Sequence, residues 1–239
     1  MIWTRQRRAP GVAALAGLLL TGCGSSLGIH PGAAAAIGDD SVSMSKIDDT
    51  TVLYCKAYVT SSQQSQQGQS GPEPMGLFRS FVASSLSKRL LGQELADAYD
   101  VQPASGYQSQ VTQLQQALAS APADQRQAVI DVAASDAYLQ NVQVAIGQRL
   151  TGNTGTSNAD TKAALQRGKV ATQDWLNDHD AFIDPVFGIS VDGGAFSREQ
   201  DQTSYAVSAL AKGGVEAFTS QQGPPESYTS ALPASQICK

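Results

Sequence analysis

The chain reads as mainly α-helical with one small β-sheet, and three observations predict it. Between residues 77 and 176 apolar side chains recur three and four positions apart, the period of helices that bury one face. The 239 residues are 41% hydrophobic but only 6% aromatic, and rich in Ala, Gln and Ser, which suits helices with thin apolar seams. Strand-like pieces are confined to a short apolar stretch around Gly38 and another at 181–187. The sheet expected is therefore formed by early strands and a returning late strand.

In order along the chain, Arg5, Arg7 and Arg8 precede the apolar stretch 12–20 and then Leu20-Thr21-Gly22-Cys23. A basic start, a short apolar core and small residues before a cut describe a secretory signal peptide, residues 1–22. With a cysteine immediately after Leu-Thr-Gly, the run resembles the lipobox of bacterial lipoproteins. That resemblance implies a diacylglyceryl group on the Cys23 thiol, cleavage before it, and a new amine open to acylation. Two or three acyl chains anchor stably, because each buried CH₂ contributes about 0.8 kcal/mol. The alternatives are a plain cleaved signal with an incidental Cys23, or an uncleaved anchor; the apolar run is short for a span, which takes about 20 residues. The expected location is the cell membrane, lipid-anchored on its extracytoplasmic face.

Removing residues 1–22 takes three arginines and no acids, so the formal charge moves from −5 to −8. Nucleic acid calls for a basic stripe, and this acidic chain has none. With Cys23 lipidated, Cys55 and Cys238 remain, in a compartment where disulfides persist. Two thiols far apart in an exported chain are expected to pair. For so long a loop the chain-entropy estimate is about 5 kcal/mol, an upper figure. A metal is not expected, since the two cysteines, His30 and His179 lack ligand spacing.

Residues 23–32 are Gly/Ser-rich and read as a flexible tether. Fully extended, ten residues reach about 35 Å, which keeps the body near the membrane. Gly38-Asp39 between short apolar stretches predicts a tight turn joining two strands. Ser45 and Asp48 match an acidic capping box, so a helix is expected from there to about Val59, with Cys55 near its inner face. Residues 61–74 read as a mobile loop. Residues 77–99 predict the central helix, with Phe78, Phe81, Val82, Leu86, Leu90, Leu91 and Leu95 on a broad apolar face. Pro103 interrupts it. Ser105 and Gln108 give a second capping box, before the narrow stripe Tyr107, Val111, Leu114 and Leu118.

Pro122 marks the start of one long helix expected to reach about Leu150 and close at Gly152. Residues 151–159 read as a linker, and 160–177 as a helix carrying Ala164, Val170, Trp175 and Leu176. Residues 181–187 look like a strand that Pro185 confines to an edge or bulge. Beyond Gly188 the signals weaken. A helix over 203–211 ending at Gly213-Gly214 is expected, then a Pro/Ser/Gln-rich tail held only by Cys238.

Several of these strings resemble the SurA N-terminal chaperone domain, the family that includes PrsA and relatives of trigger factor. They are Ala-Ala-Ala-Ile-Gly-Asp-Asp-Ser-Val-Ser (34–43), Met-Ser-Lys-Ile-Asp-Asp (44–49) and the Phe/Leu helix closed by Ala-Asp-Ala-Tyr-Asp-Val (96–101). A helical hairpin and Asp-Trp-Leu-Asn-Asp-His-Asp-Ala-Phe-Ile-Asp-Pro-Val-Phe-Gly (174–188) complete the pattern. The resemblance covers residues 33–188 and implies a helical chaperone module whose last helix and strand return to the first, followed by a C-terminal extension, 189–239. Family members usually carry a parvulin prolyl isomerase before the returning helix. Here that slot is 151–160, too short for a domain, so isomerase activity is not implied.

No Gly-x-Ser-x-Gly elbow, phosphate loop or His-Glu-x-x-His occurs, and an enzyme is not expected. Asp178-His179-Asp180 could be a charge-tuned base or a weak metal site, but neighbours at i, i+1 do not face each other; a histidine at a helix C-terminus is the simpler reading. Trp175, Phe182 and Phe187 form either a client-binding patch or part of the core. Two functions follow. One is a membrane-anchored holdase for exported, unfolded polypeptides, needing neither cofactor nor ATP. The other is an envelope scaffold that binds one folded partner.

Overall fold

The computed structural model describes residues 30–64, 71–198, 205–220 and 223–239. The signal peptide, Cys23 and all but the end of the tether lie outside the described residues.

The small sheet has the order β2-β1-β4. β1 (Ala33–Ile37) and β2 (Asp40–Ser43) form an antiparallel hairpin whose turn holds Gly38 at φ 60°. On the other edge of β1 lies β4 (Ala181–Ile183), pairing Ala35 with Ile183 and Ile37 with Ala181. The Gly38 amide donates to the Asp180 carbonyl (3.1 Å) and the Asp184 amide to the Ala34 carbonyl (2.9 Å), bracketing the pairing. An isolated hairpin is marginal in water, and this third strand supplies the support. Being central, β1 is buried from Ala34 to Ile37, and its small side chains let it lie close on the central helix.

Only 181–183 of the expected strand 181–187 is extended. Pro185–Phe187 is a 3₁₀ turn, started by the Asp184 carboxylate accepting from the Val186 amide (2.9 Å). Proline at the first position fits this turn and cannot serve a ladder.

α1 (Met44–Gln64) follows β2 directly. Its cap is Ser43, not Ser45: the Ser43 hydroxyl accepts from the Lys46 amide at 3.1 Å. Asp48, freed from capping, pairs with Arg79 of α2 (Met75–Ala98). α3 (Ser105–Ala117) likewise starts without a Ser105 cap, since Ser105 is its first helical residue. The helix expected from Pro122 to Leu150 is two. α4 (Ala123–Ala133) and α5 (Ser135–Thr151) meet at the fully buried Ala134, whose φ and ψ are −91° and −1°. Neither Pro nor Gly marks the break. It lets α4 rest on α1 while α5 packs on α2 and α6, so tertiary packing overrides local propensity.

α6 (Asn158–Asp178) is capped by Ser157, whose hydroxyl accepts from the Asp160 amide (3.2 Å). It crosses α5 with the backbones almost touching. A Cβ on Gly147 would lie 1.9 Å from the Ala164 carbonyl oxygen, and one on Gly168 would lie 1.8 Å from that of Gln143. Beside this crossing the buried Gln143 amide donates to the Thr172 hydroxyl (3.1 Å).

Past Gly188 the chain forms a hairpin that the sequence reading missed. β5 (Ile189–Asp192) and β6 (Ala195–Arg198) turn at Gly193-Gly194, both at positive φ, as a tight type I′ connection requires. Ile189 is buried with Phe187, so the expected boundary at Gly188 does not separate two packing units. α7 (Ala209–Thr219) runs through Gly213-Gly214 instead of ending there, because Tyr228 of α8 (Glu226–Thr229) packs onto both glycines. The tail ends in β7 (Ile237–Cys238), antiparallel to β3 (Glu73–Pro74). A disulfide joins Cys55 to Cys238, with Cα atoms 5.7 Å apart.

Two larger buried clusters lie along α2. One gathers Ile47, Val82, Leu86, Val132 and Phe187. The other gathers Ile37, Leu91, Leu95, Val142, Ile146 and Trp175.

Candidate functional site

Where α1 meets the first turns of α2, four aromatic rings gather: Tyr54 packs against the first cluster, while Tyr58, Phe78 and Phe81 belong to neither. Tyr54 and Tyr58 stand one turn apart on α1, Phe78 and Phe81 one turn apart on α2, spacings that put each pair on one face. The rings interlock: Tyr58 meets Phe78 edge-on at 5.2 Å between centroids, and Tyr54 lies 6.0 Å from Phe78 and 5.7 Å from Phe81. Such tilted contacts suit the ring quadrupoles.

None of the four rings is fully buried. Phe81, expected on the buried face of α2, is 43% exposed, and Val52 on α1 is 45% exposed. Tyr54, Tyr58 and Phe78 are half-buried. Partial burial, with a smaller contribution from Tyr58, raises the Tyr54 phenol above its ordinary value, so the hydroxyl stays neutral. Beside the rings, the Arg79 guanidinium lies 5.4 Å from the centre of the Phe187 ring and makes an exposed ion pair with Asp48. The seam thus offers aromatic faces with one ion pair next to them. That chemistry can hold apolar side chains of another polypeptide.

Trp175, Phe182 and Phe187 do not form one patch. Trp175 is buried in the second cluster and stacks on His179 at 3.9 Å, and Phe187 is 2% exposed in the first cluster. Phe182 is half-buried, 5.0 Å from the His30 ring. Within Asp178-His179-Asp180, His179 caps α6, its Nδ1 2.8 Å from the Trp175 carbonyl and its ring stacked on the Trp175 indole. Among the described residues no group of three or more His, Cys, Asp or Glu could hold a metal.

A second concavity, of about 430 Å³, lies between α2, α5, α6 and the β5–β6 turn. Lys88 crosses it, 2.7 Å from Asp136 and 5.9 Å from the centre of the Phe196 ring. Lys169 and Gln140 complete its polar rim. At the far end of α2, Glu94 reaches the β1–β2 turn: a Cβ on Gly38 would lie 2.6 Å from its carboxylate. Desolvation, then the charge of Asp40, raises the Glu94 carboxyl, although the Asp39 and Asp40 backbone offsets part of this by hydrogen bonding.

Comparison with protein-family models, with curated proteins and with solved structures finds no match to this chain. The site is therefore argued from its geometry alone. Sequence reading treated Phe78 and Phe81 as core and did not single out Tyr54. The available signal was the aromatic pair at 54 and 58 on a helix with few other large apolar residues, too few to cover a second aromatic pair.

Proposed function

We propose that this chain is an extracytoplasmic lipoprotein that holds exported, unfolded polypeptides without ATP, gripping them at the α1–α2 aromatic seam. The observation that carries the proposal is the set of four interlocked, incompletely buried rings along the α1–α2 seam, with Phe81 43% exposed. A holdase hides transient apolar surface, binds unfolded chains in preference to folded ones, and needs no reacting group. The SurA-like order of elements, with its strand returning to the first hairpin, agrees with this role. The lipobox at Cys23 would keep the body beside the membrane where exported chains emerge. The formal charge of −8 after loss of residues 1–22 argues against nucleic acid as a partner.

The four rings also pack tightly on one another, and that observation favours the second reading: a preformed aromatic anchor for one folded partner of the cell envelope. One experiment separates the two. The mature chain carrying Cys23→Ser is mixed, without ATP, with several unrelated proteins diluted from denaturant, and light scattering is followed. A holdase suppresses aggregation of all of them near equimolar ratio. Suppression of none would refute the holdase reading and leave the scaffold.

A further inference from the structure

The end of the chain is attached differently from everything before it. Among the described residues, none beyond Phe196 belongs to or packs on the three buried clusters. α7 and α8 pack on each other, and a Cβ on Gly213 would lie 2.9 Å from that of Tyr228. The Phe218 ring rests 3.8 Å from where Gly76 would carry a Cβ, and Arg198 Nη1 donates to the Phe218 carbonyl at 2.9 Å.

The last residues then cross the end of the helix pair where α1 leads into α2. The 3₁₀ turn Ala234–Gln236 touches α2, β7 touches α1, and the two-residue β3–β7 pairing and the disulfide end the chain there. Cys55 lies one helical turn before Tyr58, and Pro74 one turn before Phe78. The crossing therefore sits at the Tyr58–Phe78 end of the aromatic seam.

We propose that residues 223–239 form a latched strap that closes this end of the seam against a bound chain, and that Cys55–Cys238 is the latch. The inference deepens the holdase reading and rests on the seam being the binding surface. Two residues of β pairing cannot hold a tail that lacks a core of its own. With the disulfide closed, the strap stays tethered at high effective concentration and competes with any segment entering from that end. With it open, the strap detaches while α2, α5 and α6 keep their own packing.

The test uses the full mature chain and two variants of the latch: Cys238→Ser, and wild type reduced while folded with dithiothreitol, which becomes its cyclic disulfide and leaves two thiols. Hydrogen exchange read by mass spectrometry, with binding of the apolar dye bis-ANS, reports on both. Opening the latch should speed exchange several-fold in peptides from 223–239, leave α5 and α6 unchanged, and raise dye fluorescence several-fold. Adding Phe78→Ser, at the end that the strap covers, should reverse the dye gain. Unchanged exchange in the tail overturns the latch; a released tail with no dye gain overturns the closure. Neither readout depends on aggregation suppression, so failure of the holdase reading alone would be seen separately.

Discussion

Replacing Gly168 by alanine puts a methyl group into the closest helix crossing of the molecule. Its Cβ would stand 1.8 Å from the Gln143 carbonyl oxygen and 2.8 Å from the Gln143 Cα. These are backbone atoms with no rotamer to give way. Non-bonded heavy atoms settle at about 3.5–4.0 Å, so α5 and α6 would have to separate by roughly 1.5–2 Å. Overpacking a close-packed interior costs about 1–3 kcal/mol. Separation also parts the buried Gln143 amide from the Thr172 hydroxyl. Thr172 keeps its bond to the Gly168 carbonyl (2.9 Å), while the amide loses its partner. An orphaned buried group costs about 1–3 kcal/mol. Against this, alanine is better than glycine in a helix interior by about 1 kcal/mol. Strain outweighs propensity, and the net loss is about 1–5 kcal/mol. At about 2–4 °C per kcal/mol for a chain of this size, Tm should fall by roughly 2–20 °C in a calorimetric scan. Gly76→Ala is the control, because its nearest neighbour is the Phe218 ring at 3.8 Å; with no clash to offset helix propensity, its melting should match or slightly exceed wild type. Gly168→Ala melting at or above wild type would refute the close crossing.

Three further outcomes are expected. Phe187→Ala empties a fully buried site in the cluster that joins the returning segment to α2, and denaturant titration should show a loss of about 3–5 kcal/mol. Glu94→Gln tests the raised carboxyl. A raised carboxyl favours the fold while protonated and loses that contribution as pH climbs through its folded-state value. The variant should therefore be at least as stable as wild type near neutrality, with the gap closing on acidification; a gap that widens in acid would reverse the sign. Cys23→Ser should move the protein to the soluble fraction or leave the signal uncut, and a variant that stays membrane-bound and still labels with palmitate would sink the lipobox reading.

The helices were legible because they carry 3.6-residue apolar periodicity, and the sheet because Gly38-Asp39 and Ala181-Phe182-Ile183 stand out from a helical background. What escaped was decided by tertiary contact. Nothing local at Ala133-Ala134-Ser135 announces a break; it exists because α4 and α5 follow different partners. Gly147 and Gly168 weaken isolated helices, and only the crossing explains them. The β5–β6 hairpin was readable in Asp192-Gly193-Gly194, an unrecognised turn signal. At the site, apolar periodicity placed Phe81 on the same face as Val82 and Leu86, since pattern alone cannot tell a covered edge of that face from an open one. The cysteine pairing was legible by counting thiols, but the strap that it latches was not.

A seam that grips unfolded chains must touch them, and photocrosslinking reads that contact, with p-benzoylphenylalanine in place of Phe81 at the seam or of Lys162 on the exposed side of α6. In the presence of an unfolded client, strong adducts are expected from position 81 and few from position 162. Equal crosslinking from both positions, or none from position 81, would contradict the grip.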